Sequence, residues 1–191
     1  MSLPGTKIRV NDVDYHVYDE GVGERVVLLL HGMPDTSALW AHQAKSLVAA
    51  GFRVIAPDML GYGETDKPQA TERYAAEHIL ADVLALIDHM KLAKMDIVGH
   101  DWGAFVAWEL VLLKPELFRK HVAVSVGHPG LIFGNKSAQS VKENWYMYLN
   151  TQEDTAALYA QNNFQFMRET FIPSHPDLDE VTARMSDPDA M

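Results

Sequence analysis

The stretch Met95-Asp-Ile-Val-Gly-His-Asp101-Trp-Gly-Ala-Phe105 decides the fold, because a short apolar strand runs directly into a sharp turn and then into a helix. Gly99 and Gly103 flank Asp101, and glycine lets the backbone bend where a side chain would clash. Such a strand-turn-helix element lifts its central side chain out of the sheet. An Asp here could also simply cap the helix, but the paired glycines favour a reactive group. Asp101 is therefore a candidate nucleophile, and a carboxylate needs no deprotonation before it attacks carbon.

Apolar strands alternate with helical patterns on both sides of this stretch. A hairpin around Asn11-Asp12 is predicted to open the chain, and further strands are predicted from Arg25, Phe52, Met95 and His121. The predicted helices are Ser37–Ala50, Tyr74–Met90 and Trp102–Leu113. Six strands in this order, with uninterrupted apolar runs, indicate an α/β fold with a mostly parallel sheet covered on both faces.

The alternation stops beyond Gly127, where aromatic residues recur at helical spacing. We expect residues 1–127 to form the sheet-containing core. We expect residues 128–191 to form part of a helical cap over it.

Composition excludes several classes of partner and cofactor. The formal net charge of −10 opposes binding to nucleic acid, and no apolar run approaches the roughly 20 residues that span a bilayer. The chain has no cysteine, and the start Met1-Ser-Leu-Pro-Gly5 lacks a signal-peptide pattern, so we expect a cytoplasmic protein. The histidines show no second ligand at metal spacing, and we expect neither a metal ion nor another cofactor.

A second motif, His31-Gly-Met-Pro34, follows the first predicted parallel strand. Its Met33 N–H and the Trp102 N–H, one residue after the candidate nucleophile, are predicted to form an oxyanion hole. His31 and His100 stand beside these two loops. We expect both to support the site by orienting the loops through hydrogen bonds.

On these motifs the chain resembles the α/β-hydrolase superfamily, in its branch with an aspartate nucleophile, which includes epoxide hydrolases and haloalkane dehalogenases. The matching stretches are His31-Gly-Met-Pro-Asp35, Pro57-Asp-Met-Leu-Gly-Tyr-Gly-Glu-Thr-Asp-Lys-Pro68, Gly99-His-Asp-Trp-Gly103 and Ser125-Val-Gly-His-Pro129. The resemblance implies a mainly parallel sheet with a helical cap inserted after the sixth strand.

The resemblance also implies two candidate activities. Epoxide hydrolases of this branch protonate the opening ring oxygen with cap tyrosines, which implies Tyr146, with Tyr148 in reserve. Haloalkane dehalogenases bind halide through a Trp after the nucleophile and a second donor; Trp102 fits, but the Met33 side chain cannot donate. Hydrolysis of a small hydrophobic epoxide to a vicinal diol is therefore favoured, and dehalogenation of a halogenated substrate is the alternative.

The implied mechanism has two steps. Asp101 attacks an epoxide carbon to give an ester, and water activated by a histidine then opens that ester. The family places its acid and histidine after later strands, where this sequence offers only His175. Three hypotheses follow: part of a longer epoxide hydrolase, part of a related dehalogenase, or a truncated relative that acts in binding. Without a further C-terminal segment, the apolar edge of the sixth strand predicts a homo-oligomer or aggregation.

Overall fold

The computed structural model describes residues 2–132, 134, 137–171, 179 and 183. These residues fall into two compact units, and the break between the units lies between His128 and Pro129. Each unit is described by itself.

The first unit contains a six-stranded sheet with the strand order β1-β2-β4-β3-β5-β6. The strands are β1 (Thr6–Val10), β2 (Val13–Glu20), β3 (Val26–Leu30), β4 (Arg53–Pro57), β5 (Met95–His100) and β6 (Phe118–Val124). β1 and β2 form the predicted hairpin, because Asn11 and Asp12 both adopt positive φ angles (46° and 66°), as a two-residue turn requires. β2 pairs antiparallel with β4, and β3 to β6 are parallel. The predicted α/β fold with a mostly parallel sheet is confirmed.

Helices follow the strands of the first unit in the predicted alternation. They are α1 (Ala41–Ala49), α2 (Ala76–His89) and α3 (Trp102–Leu113), with short 3-10 helices at Ser37–Trp40, Thr71–Tyr74 and Pro115–Leu117. The helix predicted from Ser37 therefore begins as a 3-10 turn, and the side chain of Thr36 caps it by accepting from the Ala38 N–H.

The sixth strand is shifted relative to the sequence prediction of residues 121–126. It spans Phe118–Val124 instead. The strand begins earlier because Phe118 pairs with Met95 and is buried. It ends at Val124 because Ser125 has a φ of 65°, outside the extended region.

Alternate side chains of β3 build two apolar layers. Leu28 and Leu30 pack in a cluster with side chains of α2 and α3, whereas Val27 and Leu29 pack in a second cluster with Trp40 and helix α1. All five residues of β3 are buried. Because each fully buried leucine contributes about 1.5–3 kcal/mol, this strand anchors the loop that follows it at Leu30.

β6 lies at one edge of the described sheet. The side chains of Val122 and Val124 are 51% and 43% exposed there. An exposed apolar edge strand is a template for pairing with another chain.

Helices also make up the second unit, as far as it is described. They are α4 (Pro129–Ile132), α5 (Ala138–Glu143), α6 (Trp145–Leu149), α7 (Thr155–Ala160) and α8 (Gln165–Thr170). Their aromatic residues pack on one another: Trp145 stacks with Phe171, and Tyr159 stacks with Phe166. The helical character expected beyond Gly127 is therefore present. In the part of the chain that the structure describes, no helix is both long and apolar enough to cross a bilayer.

Candidate active site

Asp101 lies at the apex of the turn between β5 and α3. Its backbone has φ 53° and ψ −123°, a conformation that non-glycine residues rarely adopt and that costs of order 1–3 kcal/mol. Hydrogen bonds hold the turn on both sides: the Asp101 N–H donates to the Val124 carbonyl on β6, and the Asp101 carbonyl accepts from the N–H groups of Ala104 and Phe105 in α3. The neighbouring strand and helix thus enforce the strained turn that presents the carboxylate.

Gly99 and Gly103 are needed because backbone passes directly over them. A Cβ at Gly99 would lie 2.3 Å from the Gly103 carbonyl oxygen, and a Cβ at Gly103 would lie 2.2 Å from the carbonyl oxygen of Leu30. Both distances are far below van der Waals contact. Because neither glycine carries a side chain, α3 can begin in direct contact with β3 and β5.

The loop after β3 brings Met33 to the candidate nucleophile. The Met33 N–H donates a hydrogen bond of 2.8 Å to Oδ1 of Asp101. The loop reaches the carboxylate because β3 and β5 are adjacent parallel strands, with Leu30 paired to Gly99. Two residues predicted for one site from separate motifs are therefore in contact.

Trp102 begins α3 directly after Asp101. Its backbone N–H belongs to the first turn of the helix, where N–H groups have no partner within the helix. Its side chain is 49% exposed and meets Phe105 edge to face, with 5.8 Å between the ring centroids. The Trp102 N–H, the predicted second donor, is thus the next backbone N–H after Asp101 in the chain. The Trp102 indole is accessible to solvent.

His31 is fully buried beneath the Met33 loop. Its Nε2 accepts from the Met59 N–H at 2.8 Å, so Nδ1 carries the proton and donates to the Gly32 carbonyl at 2.9 Å. Burial lowers the pKa of His31, even though nearby carboxylates including Asp101 favour the charged form. A neutral His31 therefore ties the loop after β3 to the turn after β4.

His100 is placed beside Asp101 but differs from His31 in its contacts. Its Nδ1 is buried and has no hydrogen-bond partner among the described residues. The sequence predicted that His100 orients a loop through a hydrogen bond. Among the described residues, Nδ1 makes no such bond.

Asp58 is a buried anchor whose full role the sequence did not reveal. The sequence suggested only that it organises the turn at Gly61, and its carboxylate does accept from the Glu64 N–H at 3.0 Å. The same carboxylate also accepts from the Ser37 N–H at 2.8 Å and from the Ser2 hydroxyl. Burial alone would raise the pKa of Asp58, but these hydrogen bonds outweigh burial and hold it below its ordinary value.

Gly32 is a second feature that the sequence analysis did not single out. A Cβ at this position would lie 2.3 Å from Oδ1 of Asp101. The signal was present in the His31-Gly-Met-Pro34 motif. It could be interpreted only once the two loops were known to meet.

Tyr146 belongs to the second unit and lies in helix α6. Its ring is half-buried and meets Phe171 edge to face at 5.6 Å, whereas Tyr148 is 73% exposed. His175, the late histidine of the sequence analysis, lies outside the described residues. The first unit by itself brings together Asp101, Met33, Trp102 and His31.

The described part of the chain contains no group of three or more histidine, aspartate or glutamate side chains arranged to hold a metal ion. The chemistry available at the turn is that of a carboxylate held beside backbone N–H donors.

Comparisons with known proteins agree with this architecture. The sequence profile of the alpha/beta hydrolase fold matches residues 25–187. An epoxide hydrolase of Caballeronia sordidicola is 34% identical over 157 residues, which cover 80% of this chain and 47% of that protein. The chain thus spans about half the length of the curated relatives that it matches.

Solved structures show the same likeness. The crystal structure of epoxide hydrolase VrEH1 from Vigna radiata superposes with a TM-score of 0.71 at 34% identity, covering 84% of this chain and 53% of that one. A mutant epoxide hydrolase from Bacillus megaterium, complexed with its product (R)-3-[1]naphthyloxy-propane-1,2-diol, superposes with a TM-score of 0.77 at 30% identity. That match covers 87% of this chain and 59% of the other.

Proposed function

Since the chain belongs to the alpha/beta hydrolase fold family, we propose that the site around Asp101 hydrolyses epoxides to vicinal diols through an ester on its carboxylate. The observation that carries the proposal is the Asp101 carboxylate, raised on a strained turn with Oδ1 held by the Met33 N–H at 2.8 Å. The similarity to epoxide hydrolases along most of the chain supports the choice of substrate.

The first step uses the oxygen of Asp101 that Met33 does not hold. Oδ2 attacks an epoxide carbon, the ring C–O bond breaks, and the ring oxygen takes a proton. On the family resemblance, we assign the Tyr146 hydroxyl as the donor of that proton. The product is a hydroxyalkyl ester in which Oδ1 has become the carbonyl oxygen.

The second step benefits from the position that Oδ1 already occupies. Water attacks Cγ of the ester, and the negative charge that develops on Oδ1 is stabilised by the N–H groups of Met33 and Trp102. The bond from Cγ to Oδ2 then breaks, and the diol leaves with Oδ2. The resemblance implies a histidine, supported by an acid, that activates this water. We identify neither group among the described residues, so we expect this chain to form the ester faster than it hydrolyses it.

Dehalogenation is the second candidate because the half-exposed Trp102 indole follows the nucleophile and could donate to a leaving halide. The Met33 side chain offers no second donor. Incubation with matched epoxide and haloalkane substrates distinguishes the two activities, because one yields a diol or its ester and the other releases halide.

Intact-mass spectrometry tests the proposal. The probe is 1-naphthyl glycidyl ether, the epoxide that corresponds to the diol bound by the Bacillus megaterium relative. We expect the 191-residue chain to gain the mass of one epoxide, to carry it on the peptide that contains Asp101, and to lose this reaction in Asp101→Asn. Asp88→Asn, which removes an exposed carboxylate of α2, is the matched control and should react normally. Equal adduct on Asp101→Asn, or neither adduct nor diol from the unaltered chain, would contradict the proposal.

A further inference from the structure

We propose that Tyr62 is a positioning residue for this reaction: its ring braces His31 and so keeps the Met33 N–H on the Asp101 carboxylate. The inference rests on the proposed function for its kinetic part, and on geometry alone for the placement of Met33.

The turn that carries Tyr62 is anchored at both ends. The Asp58 carboxylate accepts from the Glu64 N–H, and the Thr65 hydroxyl donates to the Asp58 carbonyl at 2.7 Å. The Gly61 N–H also donates to the Asp66 carbonyl at 3.1 Å. The turn over residues 58–66 is therefore held closed by its own hydrogen bonds.

Glycines on either side of Tyr62 make its position specific. Gly61 and Gly63 have φ angles of 86° and 53°, which glycine adopts without strain. A Cβ at Gly61 would lie 2.7 Å from the Tyr74 ring, and a Cβ at Gly63 would lie 2.2 Å from Oδ2 of Asp58. Both neighbours of Tyr62 are thus packed closely against other groups, which restricts the positions open to the tip of the turn.

From this tip the half-buried Tyr62 ring meets the His31 ring edge to face, with 5.3 Å between centroids and an interplanar angle of 84°. Both nitrogens of His31 are engaged, with Gly32 and Met59. Met59 belongs to the same turn and accepts from the Tyr62 N–H at 3.0 Å. Tyr62 therefore completes the enclosure of a side chain whose hydrogen bonds already join the two loops.

The braced loop ends at the reacting group. His31 holds the carbonyl of Gly32, and the next N–H is the one that Met33 donates to Asp101. Burial, together with the charge of Asp101, raises the pKa of Tyr62 to about 12, which agrees with a neutral phenol close to the carboxylate. If the loop after β3 could tilt, the Met33 N–H would move relative to Oδ1 of Asp101. The stabilisation that this N–H gives to developing negative charge depends on its placement to within less than an ångström.

The test compares Tyr62→Leu, which removes the ring, with Tyr62→Phe, which keeps it. A matched control is Tyr18→Leu, because Tyr18 is also a partly buried tyrosine but packs in the apolar cluster that contains Trp40. Two readouts are followed in each variant. One is the amide signal of Met33 in the 15N-labelled chain, and the other is the rate of ester formation with 1-naphthyl glycidyl ether over a range of epoxide concentrations.

We expect Tyr62→Leu to shift the Met33 amide toward its position in Asp101→Ala, which lacks the accepting oxygen, and to slow ester formation at saturating epoxide about tenfold or more. The half-saturating epoxide concentration should change little, because Tyr62 acts through the loop. Tyr62→Phe and Tyr18→Leu should match the unaltered chain in both readouts. If Tyr62→Leu does not fold, Tyr62→Met, whose longer and more flexible side chain adapts to the space left by the ring, replaces it with the same expected result.

A folded ring-deletion variant with an unmoved Met33 amide and an unchanged ester rate would overturn the proposal. So would Tyr62→Phe behaving like Tyr62→Leu, because the hydroxyl and not the ring edge would then matter. Absence of ester from the unaltered chain would instead contradict the proposed function, while the Met33 amide would still decide the placement.

Discussion

The backbone N–H of Met33 and the carboxylate of Asp101 form a hydrogen bond of 2.8 Å, although 68 positions separate the two residues in the chain. They meet because β3 and β5 are neighbouring parallel strands, so that the segments following them emerge at the same edge of the sheet. The Met33 N–H therefore holds Oδ1 of Asp101 by a hydrogen bond before any substrate binds, and Oδ2 is left to react.

Gly32→Ala should impair the site far more than it impairs the fold. The added methyl would lie 2.3 Å from Oδ1 of Asp101 and must displace the carboxylate from the Met33 N–H. We expect ester formation with the naphthyl epoxide to slow by about 10 to 100-fold. The rate is measured by intact-mass spectrometry and the stability by urea denaturation.

Gly51→Ala is the control for this change. Its Cβ would meet nothing within 4 Å, and its φ of 85° adds only backbone strain. It should lose about 1 kcal/mol of stability and keep its ester-forming rate. An unchanged rate in Gly32→Ala would show that the close approach to Asp101 does not matter for reaction.

The buried His31 should make the chain less stable in weak acid. Burial lowers its folded-state pKa, so the unfolded chain takes up a proton first, near pH 6.5. Stability from the neutral ring is thus complete above pH 6.5 and falls as pH decreases toward the folded pKa, by up to about 1.4 kcal/mol per pH unit.

Urea denaturation at several pH values measures this slope. His31→Gln should remove its contribution, whereas His42→Gln, at an exposed position of α1, should retain it. The same slope in His31→Gln and in the unaltered chain would mean that other groups cause the acid sensitivity.

The exposed edge of β6 should drive self-association of the 191-residue chain. Val122 and Val124 are 51% and 43% exposed on this strand, and unpaired backbone groups of an edge strand favour pairing. Sedimentation velocity at increasing concentration should show dimers or larger species. Val124→Lys should shift the distribution toward monomer, because a charged edge resists pairing. A monomer at all concentrations would contradict this prediction.

Local patterns in the sequence were sufficient for much of the architecture. The Asn11-Asp12 turn predicted the hairpin because two-residue turns depend on neighbouring residues alone. Buried strands alternating with helices predicted a covered parallel sheet. The end of β6 was predicted two residues too late, because the backbone turns at Ser125 while the apolar pattern continues to Val126.

The site was less accessible to sequence reasoning where its contacts are long-range. Asp58 was expected to organise only its own turn, yet its carboxylate also holds the N–H of Ser37. His31 and His100 were assigned the same role, yet Nδ1 of His100 is buried without a hydrogen-bond partner among the described residues. Neither difference could be predicted, because both depend on which loops lie against each other.

The sequence by itself determined the α/β class, the sharp turn at Asp101 and the two motifs that mark the candidate site, since each depends on the order of neighbouring residues. Only the tertiary structure decided that Met33 donates to Asp101, that Gly32 must lack a side chain and that Tyr62 braces His31. The physical reason is strand order: the placement of β3 between β4 and β5 brings together loops that are distant in the chain.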